Sequence, residues 1–199
     1  SIAAPATRSA HDQHRTAPPR PRAPTRDARP RHSHCVGGGN GTSHPPRVLR
    51  RFEHGNIVGN LAKKLFPEGI DIKTENYTKN LEETKKLLPK RKILFEAALQ
   101  VDNLYGRADI LVPVGKDEWD VIEVKSSSSV DKKKHYPDLA FQRYVYEKAG
   151  LRIRKCFLMH INNQYVRSGE VDLEKLLVQE DLTEDIDKIM VEVPENIEF

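Results

Sequence analysis

The chain has 199 residues, 37% of them hydrophobic and 7% aromatic, at a net charge of +4, which suffices for one domain with its own core but includes no run of 18 apolar residues to span a membrane. Two cysteines, Cys35 and Cys156, exclude a disulfide framework and suit a reducing cytoplasm, the expected location. Residues 1–50 hold nine Arg and no Lys against Asp12 and Asp27, a net of +7, leaving −3 for residues 51–199, so the basic balance says nothing about the partners of the body.

Residues 1–50 also hold eight of the 13 Pro and five of the eight His. With almost no aliphatic periodicity this tail cannot offset its chain entropy, so it is expected to be disordered and quickly lost to proteases. Two origins stay open. It is an Arg/Pro-rich segment that binds nucleic acid or acts as a spacer, or residues 1–47 are an out-of-frame translation, since residue usage changes abruptly at His44-Pro45-Pro46-Arg47. It has no apolar h-region and is not a secretory signal.

The body opens with a helix over 51–66, on an apolar stripe of Phe52, Ile57, Leu61 and Leu65. A Lys/Glu-rich connector follows, with a helix near 78–88. Strands are predicted near 92–101, 107–114 and 119–126, then a helix over 136–149, a strand over 152–161 and a helix over 172–190. The order α-β-β-β-α-β predicts an α/β fold with a central mixed sheet flanked by helices. Its crossover through 136–149 should be right-handed if strand 152–161 is parallel to its neighbour. Lys132 to Lys134, in the loop leaving the third strand, read either as a DNA-backbone contact or as a solvated charge run.

Acidic residues fall inside three consecutive apolar runs: Glu96 in Ile93 to Leu99, Asp109 in Gly106-Arg107-Ala108-Asp109-Ile110, and Glu123 in Val121-Ile122-Glu123-Val124-Lys125. A carboxylate in such a strand is costly unless it is paired or holds a metal. Alternate residues share a strand face, so Glu123 and Lys125 project together, and Asp109 leaves the face opposite to Ala108, Ile110 and Val112. Three adjacent antiparallel strands would bring Glu96, Asp109 and Glu123 onto one surface. Such hard oxygen donors suit Mg²⁺ or Mn²⁺, and the chemistry would be phosphodiester cleavage. Lysine is no ligand for these ions; it can orient the attacking water. For Glu96 two roles stay open, a metal or water contact and a cross-strand partner for Lys125.

Gly106-x-x-Asp109, Glu123-Val124-Lys125 and Gln142-x-x-x-Tyr146 together resemble the PD-(D/E)XK nuclease superfamily, specifically its RecB-like branch. That branch includes the CRISPR-associated RecB-like exonucleases. A fuller similarity, to a bacterial RecB-like family, runs roughly from Arg51 to Gly169 through Phe52-Glu53-His54-Gly55-Asn56-x-Val58-Gly59 and Asp138-Leu139-Ala140-Phe141-Gln142. The resemblance implies a restriction-endonuclease-like core over residues 51–199 and a metal-dependent nuclease acting on DNA, in processing, repair or defence. It implies that Asp109 and Glu123 bind Mg²⁺ or Mn²⁺ with the main-chain carbonyl of Val124, and that Lys125 assists the water. Gln142 and Tyr146 would lie near DNA, the other reading being a helix-surface residue and a core residue. The branch commonly carries a metal-binding histidine on the helix before the sheet, a few positions after a glycine. His54 is the candidate here, although it precedes Gly55, with Asn56 as an alternative contact. Some members hold an iron–sulfur cluster with four cysteines. That set is absent from this sequence, so no cluster is expected, unless the chain is a fragment that has lost a C-terminal cysteine region. The reading from another class is a catalytically silent nucleic-acid-binding or interaction module of the same fold.

Overall fold

In the computed structural model, residues 47–197 are described, with side chains from Gly55 onward. In chain order the elements are α1 (Arg47–Lys63), β1 (Ile70–Asp71), α2 (Tyr77–Leu87), β2 (Leu94–Val101), β3 (Leu104–Val114), β4 (Glu118–Val124), α3 (Lys132–Lys148), β5 (Arg152–Ile161), α4 (Leu173–Leu176), β6 (Leu177–Asp181), α5 (Thr183–Ile189) and α6 (Val193–Ile197). The strands form one mixed sheet in the order β1-β2-β3-β4-β5-β6. β1 and β2 are parallel, as are β4 and β5, and the remaining neighbours are antiparallel. The expected α/β class, with a mixed sheet flanked by helices, is what the chain forms. The tail expectation falls largely outside the described residues.

Each sheet face buries a separate apolar set. Val58 and Ala62 of α1 pack with Phe95, Ile110, Ile122, Met159 and Leu177. The opposite face carries Leu94, Ala97, Leu99, Ala108, Leu111, Val121 and Leu158 against Leu139, Ala140 and Tyr146 of α3, with Ile186 and Val193 of the C-terminal helices. Of the stripe read on the first helix, Leu61 and Leu65 pack half-buried against the α1-side set, but Val58 and Ala62 are more deeply buried. Ile57 is 55% exposed while Val58 and Ala62 are buried, because the helix turns its small residues toward the sheet, where its axis can come close.

Local chemistry explains most boundaries. The Asn76 side chain accepts from the Lys79 N–H and starts α2, as Asp131 does from Lys133 for α3, which therefore begins at Lys132 and not at 136. Gly106 lets α3 lie close to β3: a Cβ there would stand 3.3 Å from Val145 Cβ. The helix expected over 172–190 does not form as one piece. Asp172 caps a single turn, and then Leu177–Asp181 pairs antiparallel with β5. The open edge of β5 offers a row of hydrogen bonds that no periodicity within 172–190 announces, and Leu177 gains a buried place.

At the middle of β2 and β3 the pleat breaks. Glu96 has φ +56°, and alternation shifts there: Phe95 faces α1 whereas Ala97 faces α3, two positions that a regular strand would put on one side. Backbone groups displaced by the break find side-chain partners. Asn80 Nδ2 donates to the Glu96 carbonyl at 3.0 Å, and the Thr84 hydroxyl accepts from the Ala98 N–H at 3.0 Å and donates to Asn80 Oδ1 at 3.2 Å. From the other helix, the fully buried Tyr146 hydroxyl accepts from the Ala108 N–H at 2.9 Å and donates to the Ala97 carbonyl. It takes the place of a ladder bond between two opposed residues. Removing it orphans a buried donor and a buried acceptor, so Tyr146→Phe should lower unfolding stability by about 1–3 kcal/mol in urea denaturation; an unchanged midpoint would show that the two strands close directly on each other.

Candidate active site

The registers put three carboxylates in one row. Phe95 opposes Ile110 and Ala97 opposes Ala108, so Glu96 falls opposite Asp109; Ile110 opposes Ile122, and the next step sets Asp109 opposite Glu123. The expected convergence of Asp109, Glu123 and Lys125 is therefore what the strands produce, but the face assignment needs correcting. Ile110 and Val112 pack on the α1 side while Ala108 packs on the α3 side. The three do not share a face opposite to Asp109, because the pleat break lies between Ala108 and Ile110.

Each carboxylate has its own partners. Asp109 Oδ2 accepts from the Val124 N–H at 2.7 Å, which ties it to the Glu-x-Lys strand. Glu123 Oε1 meets Lys125 Nζ at 2.8 Å, and Oε2 accepts from Gln142 Nε2 at 2.6 Å. Lys125 Nζ also lies 3.2 Å from Asp138 Oδ2. Glu96 is not a partner of Lys125. It turns to Lys63 Nζ at 3.0 Å and Arg107 Nε at 3.4 Å, because α1 presents Lys63 to it and to Asp71. Glu96, Lys63 and Arg107 line a polar cleft of about 390 Å³, along with Asn56, the alternative contact considered for the first helix. His54 lies within α1, outside the residues whose side chains are described.

Gln142 and Tyr146 share a face of α3 but have different surroundings. Gln142 is buried against Glu123, and its Oε1 has no hydrogen-bond partner among the described residues. Tyr146 is sealed in the core with its hydroxyl committed to β2 and β3, the core placement that was the other reading of this residue, and it holds the strand break. Lys132, Lys133 and Lys134 open α3 and face solvent. Asp138, outside the expected site set, stands one helical turn before Gln142, the spacing that puts both on one face.

The electrostatics follow from this crowding. Burial first, then the nearby Glu123 charge, push the Asp109 carboxyl up to about 7, against the opposing bond from Val124 N–H. Burial works against the Lys125 charge, but Glu123 and Asp138 outweigh it and hold the ammonium above its ordinary value. Among the described residues no group of three or more His, Cys, Asp and Glu is placed to hold a metal ion. The oxygen donors that do converge are the carboxylates of Asp109 and Glu123, with Asp109 tied to the second strand through the Val124 N–H. Mg²⁺ is bound by one or two carboxylates and retains waters, and two carboxylates with one of them driven toward its neutral form are a site that a divalent cation would relieve, so the donor set fits. No helix among the described residues is long and apolar enough to cross a membrane. Comparison with protein-family models, curated proteins and solved structures finds no match to this chain.

Asp109 also makes stability depend on pH. Its native carboxyl titrates near 7 and its unfolded one near 3.8, so between these values the native state binds more protons, and stability falls as pH rises through the window. Asp109→Asn keeps an acceptor for Val124 N–H and removes the charge. In thermal melts without metal, the variant should melt above wild type at about pH 8, and the gain should vanish toward about pH 4. A gain of the same size at both ends would mean that the Asp109 charge is not its source.

Proposed function

We propose that this chain is a Mg²⁺- or Mn²⁺-dependent nuclease that hydrolyses phosphodiester bonds of DNA, built on a restriction-endonuclease-like core of the RecB type. The observation that carries this reading is the opposition of Asp109 and Glu123 across neighbouring strands, with Lys125 bonded to Glu123 on the same side. Structural ion pairs rarely leave two carboxylates facing each other with one of them raised toward neutral pH; catalytic and metal sites commonly do.

Asp109, Glu123 and the carbonyl of Val124 would hold the ion. When bound, it supplies charge at the scissile phosphate and lowers the pKa of a water. The chain's own residues do the positioning. Gln142 fixes the rotamer of Glu123, and Asp138 and Glu123 pin Lys125 between them. Lys125 is thereby kept charged at the mouth of the site, where it orients the attacking water. Tyr146 and Asn80 hold the strand break that seats Asp109. A catalytically silent nucleic-acid-binding module is the second reading, favoured by the commitment of both Glu123 oxygens and of Lys125 to protein partners.

Titration calorimetry with Mn²⁺, alongside single-turnover cleavage of end-labelled single- and double-stranded DNA, separates these readings. Wild type should bind Mn²⁺ and cleave. Asp109→Ala and Glu123→Ala should weaken Mn²⁺ binding by about tenfold or more and abolish cleavage. Lys125→Ala should keep Mn²⁺ affinity while slowing cleavage by about 10²-fold, since its contribution is made mainly in the transition state. Equal rates for Lys125→Ala and wild type would make Lys125 a structural counter-ion. Wild type that neither binds Mn²⁺ nor cleaves would leave the silent module.

A further inference from the structure

α3 turns one polar stripe toward the sheet. His135, Asp138, Gln142 and Tyr146 are separated by three, four and four residues, the spacing of one helix face. Three of them commit their polar groups to protein partners: Tyr146 to Ala97 and Ala108 and Gln142 to Glu123 in buried places, and Asp138 to Lys125 at the surface. His135 stands at the open end of the stripe and is used on one side only. The residue is 8% exposed, and Nδ1 accepts from the Asp131 N–H at 3.0 Å, which fixes the ring's orientation.

A ring nitrogen that accepts carries no proton, so in the neutral imidazole the proton sits on Nε2. Burial and then the Lys125 charge disfavour a second proton, with Asp131, Asp138 and Lys134 the other charges around the ring. Nε2 has no hydrogen-bond partner among the described residues. Gln142 Oε1 is the one sealed side-chain polar atom without a partner there, so the described residues do not seal Nε2. A neutral N–H donor therefore sits one helical turn before Asp138, the partner of Lys125, on the helix face that also carries Gln142, the partner of Glu123. A neutral donor at His135 and a charged one at Lys125 complement a group that only accepts and carries negative charge over several oxygens.

We propose that His135 is a substrate-contact residue whose Nε2–H donates to a non-bridging phosphate oxygen of the nucleic-acid strand held at Asp109 and Glu123. The contact rests on the nuclease reading, and neither the spacing of motifs nor the metal donors include it. It makes no bond and moves no proton. It fixes the phosphate relative to Lys125, so its loss is felt in binding more than in the rate at saturation.

Two substitutions divide the ring's two bonds. His135→Asn leaves an acceptor near the place of Nδ1 for the Asp131 N–H and removes the outer donor; His135→Gln keeps a donor near the place of Nε2. Fluorescence anisotropy with a labelled single-stranded DNA oligonucleotide in Ca²⁺ should show binding about tenfold weaker for His135→Asn and within about threefold of wild type for His135→Gln. Single-turnover cleavage in Mn²⁺ should be slowed at subsaturating protein and restored at saturation. Histidine-selective ¹⁵N spectra of the wild-type chain supply the check if a variant fails to fold, and there the His135 Nε2 signal should move on adding the oligonucleotide. Equal binding by wild type and a folded His135→Asn, or an unmoved Nε2 signal, overturns the contact and leaves the nuclease reading standing. Wild type that binds without cleaving, with His135→Asn weaker, keeps the contact and removes the nuclease; wild type that binds no oligonucleotide overturns both.

Discussion

Buried backbone N–H and C=O groups must find partners, and at the centre of β2 and β3 that requirement is met by side chains from two helices on the same sheet face. Glu96 adopts the left-handed region at a cost of about 1–2 kcal/mol for a residue with a side chain. The cost is offset where Asn80, Thr84 and Tyr146 take up the polar groups that the break releases. Without those three side chains the strands would return to regular alternation. Asp109 would then leave its place opposite Glu123, or carry Ala108 and Ile110 to the wrong sides of the sheet.

The same break separates the row of carboxylates into two environments. Glu96 turns toward α1, where Lys63 and Arg107 balance it at a half-exposed cleft. Asp109 and Glu123 stay with α3, where one lysine serves both and burial works against their charge. Like charges held this close in a partly dry place cannot both ionise freely. The site is thus short of positive charge by construction, whereas the neighbouring cleft is close to balanced.

α3 is the element that joins scaffold and site. Its apolar residues Leu139, Ala140 and Val145 are fully buried, and Gly106 of β3 admits it at close range. Its polar stripe divides its work residue by residue. Tyr146 serves only the backbone, Gln142 serves a site carboxylate, Asp138 serves the site lysine, and His135 keeps one nitrogen that no described residue takes up. A single rigid helix therefore sets the rotamers of several site groups at once, as a precise site requires.

The sequence by itself determined the α/β class, the three central strands, the strand 152–161 and the grouping of Asp109, Glu123 and Lys125. These rest on short-range rules: apolar runs, the parity of alternate residues, and the cost of a carboxylate in an apolar strand. Even Gln142 was legible, since i and i+4 share a helix face. What only the tertiary structure decided depends on residues far apart in the chain. Glu96 pairs with Lys63 and not with Lys125 because α1 crosses that face. Tyr146 is a strand staple because two opposed alanines leave it room and unpaired groups. The segment 172–190 splits because β5 has a free edge for Leu177–Asp181. Asp138 meets Lys125 only once α3 is laid over the sheet. No local period encodes such meetings, since each is settled by which surface another element has left uncovered.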